Sequence, residues 1–180
     1  VSAEDRGFIP DDRPGQARLT RFLSSEHKRM DDIYNARILH LAGNIERAGT
    51  LDNADATAEK HSKLCGSKVR VFLTMRDGVV SDFAHQVRAC ALGQASSSVM
   101  ARHVVGATAE EIRAARDAML AMLKDGGEGP VGRFEEMRIL QPVKDYKARH
   151  ASTMLTFDAV VDCLDQIATG DPAALAAKAG

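Results

Sequence analysis

The stretch from Val69 to Ala89 constrains the fold more than any other part of the chain. Val69, Val71, Leu73 and Met75 alternate with Arg70, Phe72, Thr74 and Arg76, the two-residue period of a strand with one buried face. Asp77-Gly78 follows, a pair that accepts the positive φ angles of a two-residue type I′ turn, and a second strand returns from Val79 to about Ala89. A lone hairpin is marginal in water, so it needs a third strand or a helical cover. Residues 54–60 read as that third strand, and nearly everything after Cys90 reads as helix. Strands followed by helices predict an α+β fold: a three-stranded antiparallel sheet with helices packed on one face.

The helical signals are local and specific. Ile33, Tyr34, Ile38 and Leu41 form an amphipathic stripe that should stop at Gly43-Asn44. A small-residue helix runs from Ala91 to about Val105. Thr108 and Glu111 make a capping box for the next helix, which aligns Ile112, Ala115, Met119, Met122 and Leu123. A short helix from about Arg133 should end before Pro142, and a long one should run from about Ser152 to Ala168. Residues 1–29 read differently, as a polar arm in which Leu19, Phe22 and Leu23 share one face at helical spacing. The arm is either a frayed terminus or a docking segment centred on residues 16–29. The expected organisation is an arm at 1–29, one domain over 30–170 and an Ala-rich tail at 171–180.

Composition narrows the function classes. Twenty-four Lys and Arg against 25 Asp and Glu leave a formal charge of −1, so there is no basic excess for a nucleic-acid footprint. No apolar run approaches the roughly 18 residues of a membrane span. Three cysteines and no secretory leader pattern predict a reducing cytoplasm. There, cysteines serve as core residues, metal ligands or nucleophiles.

The hairpin register brings two of those cysteines together. With Asp77-Gly78 as the turn, Arg76 pairs with Val79, and the same register sets Cys65 opposite Cys90 at the open end. It also sets Leu73 opposite Asp82, a mismatch that a one-residue bulge repairs, and Gly66 is a place for another. Either way the two sulfurs lie within a residue of facing each other. Cys90 directly precedes a helix, whose N-terminus favours an anionic side chain. Two convergent thiols suit a soft metal, an iron–sulfur cluster or a redox pair. Cys163 falls on the apolar stripe of the last helix and reads as core. Among the histidines, His150 stands just before the last helix, where it would point back to the hairpin mouth, and His61 is the second candidate ligand. Ser96, Ser97 and Ser98 have no base that the sequence positions, and no phosphate loop is present. The chain therefore reads as a binding protein, not an enzyme.

These motifs, in this order, resemble the iron–sulfur cluster scaffold family of NifU, IscU and SufU. The family reads Cys-Gly-Asp after its first strand, Gly-Cys-Ala-x-Ser-x-Ala-Ser at the sheet-to-helix turn, and Cys-Ala/Ser near the last helix. The corresponding segments are Cys65-Gly66-Ser67, Ala89-Cys90-Ala91-Leu92-Gly93-Gln94-Ala95-Ser96 and Arg149-His150-Ala151-Ser152. Leu140-Gln141-Pro142-Val143-Lys144 is similar to the family's chaperone-recognition stretch. The resemblance covers about Met30 to Ile167. It departs in having Ser67 where the family has Asp, and no third cysteine: His150, Ser152 or Lys147 occupies that slot, depending on the alignment.

The resemblance implies a scaffold that receives sulfur from a cysteine desulfurase and passes a nascent cluster to recipient proteins. Its cofactor-binding and metal-binding residues would be Cys65, Cys90 and His150. The alternative is a repurposed fold, zinc-bound through the same three residues or metal-free, acting as an accessory subunit that docks to a larger assembly through residues 1–29. Under either reading the partners are proteins, including a chaperone at residues 140–144, and not nucleic acid or membrane.

Overall fold

The computed structural model describes residues 35–170; the arm, the first residues of the Ile33 stripe and the tail at 171–180 lie outside them. Helix α1 (Ala36–Gly43) precedes three strands, β1 (Ala56–His61), β2 (Lys68–Arg76) and β3 (Val79–Arg88). Helices α2 (Ala91–His103) and α3 (Ala109–Asp125), a run of 3-10 turns (Gly132–Asp145) and helix α4 (Lys147–Thr169) follow. The sheet order is β1-β2-β3, antiparallel throughout. This is the predicted α+β arrangement.

The β2–β3 turn forms as its residues dictate, with Asp77 and Gly78 both at positive φ (52° and 79°). A bulge between Thr74 and Met75 shifts the register by one, so Leu73 pairs with Phe83 and not with Asp82. Two buried apolar side chains thereby face each other, and Asp82 moves to the exposed face beside Thr74. Val69, Val71 and Leu73 point inward with Ala56, Ala58 and Phe83, all buried. Helix α4 lies across β1 and β2. Gln166 donates to the Thr57 carbonyl at 3.1 Å, and Asp162 pairs with Lys60 at 2.5 Å.

Helix α2 packs on α4 through small residues. Ser96, Ser97 and Ser98 are buried, and the Ser97 hydroxyl meets that of Thr156 at 2.5 Å. The predicted capping box opens α3: the Glu111 amide donates to Thr108 Oγ1 at 3.1 Å and the Thr108 amide to Glu111 Oε2 at 2.8 Å. The predicted stripe of α3 is its buried face. Phe134, Met137, Leu140 and Val143 cover the other side of the core, with Phe134 and Phe157 rings 5.9 Å apart. Each such side chain contributes about 1.5–3 kcal/mol on burial.

Two elements differ from expectation. The segment after Arg133 runs as 3-10 turns through Pro142, not as an α-helix ending before it. Successive i→i+3 turns lack the continuous i→i−4 ladder that a proline breaks, so they tolerate Pro142. Helix α4 begins at Lys147, one and a half turns before the predicted Ser152.

Candidate metal or cluster site

Cys65 sits on the β1–β2 loop, which spans Ser62 to Ser67 because His61 pairs with Lys68. Two bonds close the loop: the Ser62 amide donates to the Ser67 carbonyl at 2.8 Å, and the Gly66 amide to the Ser62 carbonyl at 2.9 Å. Gly66 supplies the left-handed residue the turn requires, with φ 68°. Cys65 is held half-buried at the tip, between exposed Leu64 and Gly66.

Cys90 lies beyond the end of β3 and forms the N-cap of α2, in an extended conformation. Its side chain makes no capping bond to its own helix and is directed elsewhere. Ser67 ties the two cysteines together. Its hydroxyl oxygen accepts the Cys65 thiol at 3.0 Å and the Cys90 backbone N–H at 3.2 Å. Ser152, on the second turn of α4, closes the other side: the Cys90 thiol donates toward Ser152 Oγ at 3.6 Å, while that hydroxyl donates to the Arg149 carbonyl at 2.9 Å. Ser62, Ser67 and Ser152 are all buried. Ser62 Oγ has no hydrogen bond of standard geometry, yet it lies close enough to the Cys65 sulfur to act on it.

This hydroxyl shell sets the chemistry of Cys65. Burial alone would push the thiol up. The hydroxyls of Ser62 and Ser67, the Ser67 backbone N–H and the Ser152 hydroxyl outweigh it and hold the thiol at about 7, against 9.0 for an ordinary cysteine. When Cys65 ionises, the Ser67 hydroxyl can turn its proton to the sulfur and still accept the Cys90 N–H. The thiol activated in this way is on the β1–β2 loop.

His150 is not brought to the thiols. Its Nε2 lies 3.1 Å from the carbonyl oxygens of both Val143 and Lys144, and the residue lines a surface groove with Arg116, Leu120, Lys124 and Lys147. The cause is helical phase. Since α4 already includes residue 150, His150 and Ser152 project about 200° apart at 3.6 residues per turn, and Ser152 is the one facing the sulfurs. Lys147 is exposed on the first turn, His61 is exposed at the end of β1, and Cys163 is buried in the core with its sulfur 3.9 Å from the Val71 carbonyl. Among the described residues, no three of the His, Cys, Asp and Glu side chains gather into a metal-holding group, so the Cys65/Cys90/His150 set that both the cluster and the zinc readings used does not assemble. Nothing in the sequence marks Ser62, because a serine in a loop carries no signal beyond the turn itself.

On the β1–β2 loop and at the end of β3, Lys63 and Arg88 are exposed, while Lys68 and Arg70 both pair with Glu59, at 2.9 and 3.0 Å. Among the described residues, no helix is long and apolar enough to cross a membrane.

Known proteins are similar to this chain in fold and in sequence. A solved structure of a nitrogen-fixing NifU-like protein (N-terminal) from Brucella abortus superposes with a TM-score of 0.78 at 67% identity, covering 79% of this chain and 99% of that one. A putative iron–sulfur cluster assembly scaffold protein for the SUF system from Fervidobacterium islandicum, at 22% identity, shares the fold with a TM-score of 0.69, over 74% of this chain and 98% of its own. The iron–sulfur cluster assembly scaffold protein IscU of Thermotoga maritima is 27% identical over 135 residues, 75% of this chain and 94% of the relative. The family model of the NifU-like N-terminal domain matches residues 33–153, which take in Cys65, Cys90 and Ser152, and the chain belongs to that family.

Proposed function

We propose that this protein is an assembly scaffold on which a nascent iron–sulfur cluster, its cargo, is held by the thiolates of Cys65 and Cys90. The observation that carries the reading is the shared hydroxyl of Ser67, which binds the Cys65 thiol and the Cys90 backbone at 3.0 and 3.2 Å and so draws two distant parts of the chain into one mouth. A Cys65 thiol held at about 7 is about half ionised at neutral pH, and the thiolate is the form that binds iron. Ser152, not His150, stands at the third position, and a neutral hydroxyl is a weak iron donor. Cargo held by two thiolates is therefore labile, which suits transfer better than storage.

The scaffold has no turnover of its own. It takes sulfur from a cysteine desulfurase and hands the cluster to recipient proteins in a reducing cytoplasm. A chaperone reading residues 140–144 would meet Gln141 and Lys144, since Leu140 and Val143 are buried. The arm at 1–29 is proposed as a docking segment.

Anaerobic reconstitution with iron and sulfide tests the reading. Bound iron and sulfide with visible cluster absorbance are expected for the parent and for Cys163→Ala, and loss of both for Cys65→Ala and Cys90→Ala. Equal retention in Cys65→Ala and Cys90→Ala would overturn it.

A further inference from the structure

Helix α4 has a second face besides the one that meets the thiols. Ser152 lies beside the Cys90 sulfur. Lys147, Ala151, Met154 and Asp158 recur at three- and four-residue spacing and so share another side of the helix. Ser152, five residues on from Lys147, projects about 140° away from it at 3.6 residues per turn. Facing this second side, Arg116, Leu120 and Lys124 recur every four residues along α3. The two rows enclose a surface groove of about 630 Å³.

The groove has an apolar floor and a basic rim. Half-buried Leu120, exposed Ala151 and buried Met154 form the floor. Asp158 is the one carboxylate among the lining residues, and Arg116 engages it at 3.0 Å. Lys124 and Lys147 are exposed and enter no ion pair among the described residues. The first turn of α4 has no acidic side chain, and Asp125 and Asp145, the carboxylates nearest in sequence, do not line the groove. Two uncompensated lysines beside an apolar floor are complementary to an element that carries carboxylates next to apolar side chains. The length suits a helix. From Arg116 to Lys124, α3 rises about 12 Å, a little over two turns. Two apolar residues one turn apart can therefore seat on the floor while acidic residues beside them reach the lysines.

We infer that the α3–α4 groove is a docking site for an acidic amphipathic helix of a partner protein. Leu120, Ala151 and Met154 receive its apolar residues, and Lys124 and Lys147 pair with its carboxylates. Because the groove lies on a side of α4 away from Ser152, the docked helix leaves the thiol mouth uncovered. The docking site is independent of what the thiols carry.

The probe is a fluorescein-labelled peptide of about 18 residues, long enough to hold a helix, with Leu at every third or fourth position and Glu beside it. It is titrated with the full chain and followed by fluorescence anisotropy. Saturable binding is expected, weaker as salt rises, and about tenfold weaker when Gln replaces every Glu of the peptide. Lys124→Glu together with Lys147→Glu should weaken it about tenfold or more, and that doubly reversed chain should bind the Lys counterpart of the peptide better than the parent does. Ala151→Glu, which sets a carboxylate on the floor, should weaken it to a similar degree. All three positions are exposed, so thermal midpoints should stay near that of the parent. Lys63→Glu with Arg88→Glu, which reverses the exposed cations of the β1–β2 loop and the end of β3, should bind the peptide as the parent does. No saturable binding, equal binding of the Glu and Gln peptides, or binding unmoved by the double reversal would overturn the inference. Binding to phosphatidylglycerol vesicles in place of the peptide, lost in the double reversal, would assign the groove to a membrane surface and overturn it. Self-association of the parent that the double reversal abolishes would assign the groove to a second copy of the chain, and would overturn it as well.

Discussion

A Cβ placed on Gly93 would lie 3.0 Å from the carbonyl oxygen of Ser152 and 2.8 Å from the Ala89 Cβ. The absence of a side chain at Gly93 is what lets the second turn of α4 approach the first turn of α2, and that approach puts Ser152 beside Cys90. Gly93→Ala should therefore act on the site as well as on the fold. Helix propensity favours alanine by about 1 kcal/mol, but contacts with backbone and Cβ atoms at these distances cost about 1–3 kcal/mol. The expected result is a modest net loss of stability in denaturant melts, accompanied by faster loss of bound cluster. A variant as stable as the parent with unchanged retention would show that the two helices part without consequence.

Cys65 should be the thiol that reacts at neutral pH. Its alkylation rate should rise with an apparent pKa of about 7, reflecting the hydroxyls and amide gathered around it. Ser67→Ala removes one of these hydroxyls and the acceptor of the Cys90 N–H, so the midpoint should move up toward 9.0 and the rate at pH 7 should fall several-fold. The folded thiol sits below its unfolded value, so its ionisation adds stability that is complete above about 9 and is lost as pH falls through about 7. Denaturant midpoints of the parent and Cys65→Ala across that window measure it. Parallel curves for the two would contradict the assignment.

What could be read from the chain alone depended on whether a local rule decided the outcome. The Asp77-Gly78 turn, the Thr108–Glu111 capping box and the stripe of α3 are decided by neighbouring residues, and all three formed as expected. The bulge at Thr74/Met75 was legible because pairing Leu73 with Asp82 would bury a charge. The start of α4 was not legible. Lys147-Ala148-Arg149-His150 carries no cap and no apolar stripe, so only its packing shows it to be helical. That omission of one and a half turns put His150 on the wrong side of the helix. The serine shell was only partly legible: the resemblance marks Ser67 at the Asp slot and Ser152 as one occupant of the third-cysteine slot, but Ser62, Ser67 and Ser152 come from two separate elements and act together only where those elements meet.

The helical phase of α4 makes opposite predictions for two neighbouring positions. His150→Ala removes a ring nitrogen from the Val143 and Lys144 carbonyls and should cost about 1 kcal/mol of stability while leaving cluster retention as it was. Ser152→Cys places a third sulfur where a hydroxyl now meets the Cys90 thiol at 3.6 Å, and should raise retention after anaerobic reconstitution. His150→Cys should not, because its sulfur would face the groove beside Lys124 and Lys147. Retention raised by His150→Cys and unaffected by Ser152→Cys would mean that the first turn of α4 rearranges around the cargo.

His85 gives the fold an acid limit that is separate from the site. It lies on the buried face of β3 opposite Val71, with its ring edge-on to Phe83 at 5.0 Å. Nε2 stands 2.9 Å from the Glu46 carbonyl, so it carries the proton, and Nδ1 is buried with no partner. Protonating Nδ1 would place a cation in the core. Burial accordingly lowers the pKa from the ordinary 6.5, with the Glu46 carbonyl opposing in part. The unfolded chain then binds the proton first, so stability is full above about 6.5 and falls as the pH drops below it. Glu59 and Glu136, both held below the usual carboxylate value of 4.5, lose their contributions only in more acidic solution, whereas Cys65 loses its own around pH 7, so the histidine is isolated in a Cys65→Ala background. In Cys65→Ala the denaturation midpoint should decline between pH 7.5 and 5.5. Adding His85→Phe should lower stability at pH 7.5, because the bond to Glu46 is lost, but leave the midpoint nearly flat across the same range. An equal decline in both proteins would move the acid sensitivity to another group.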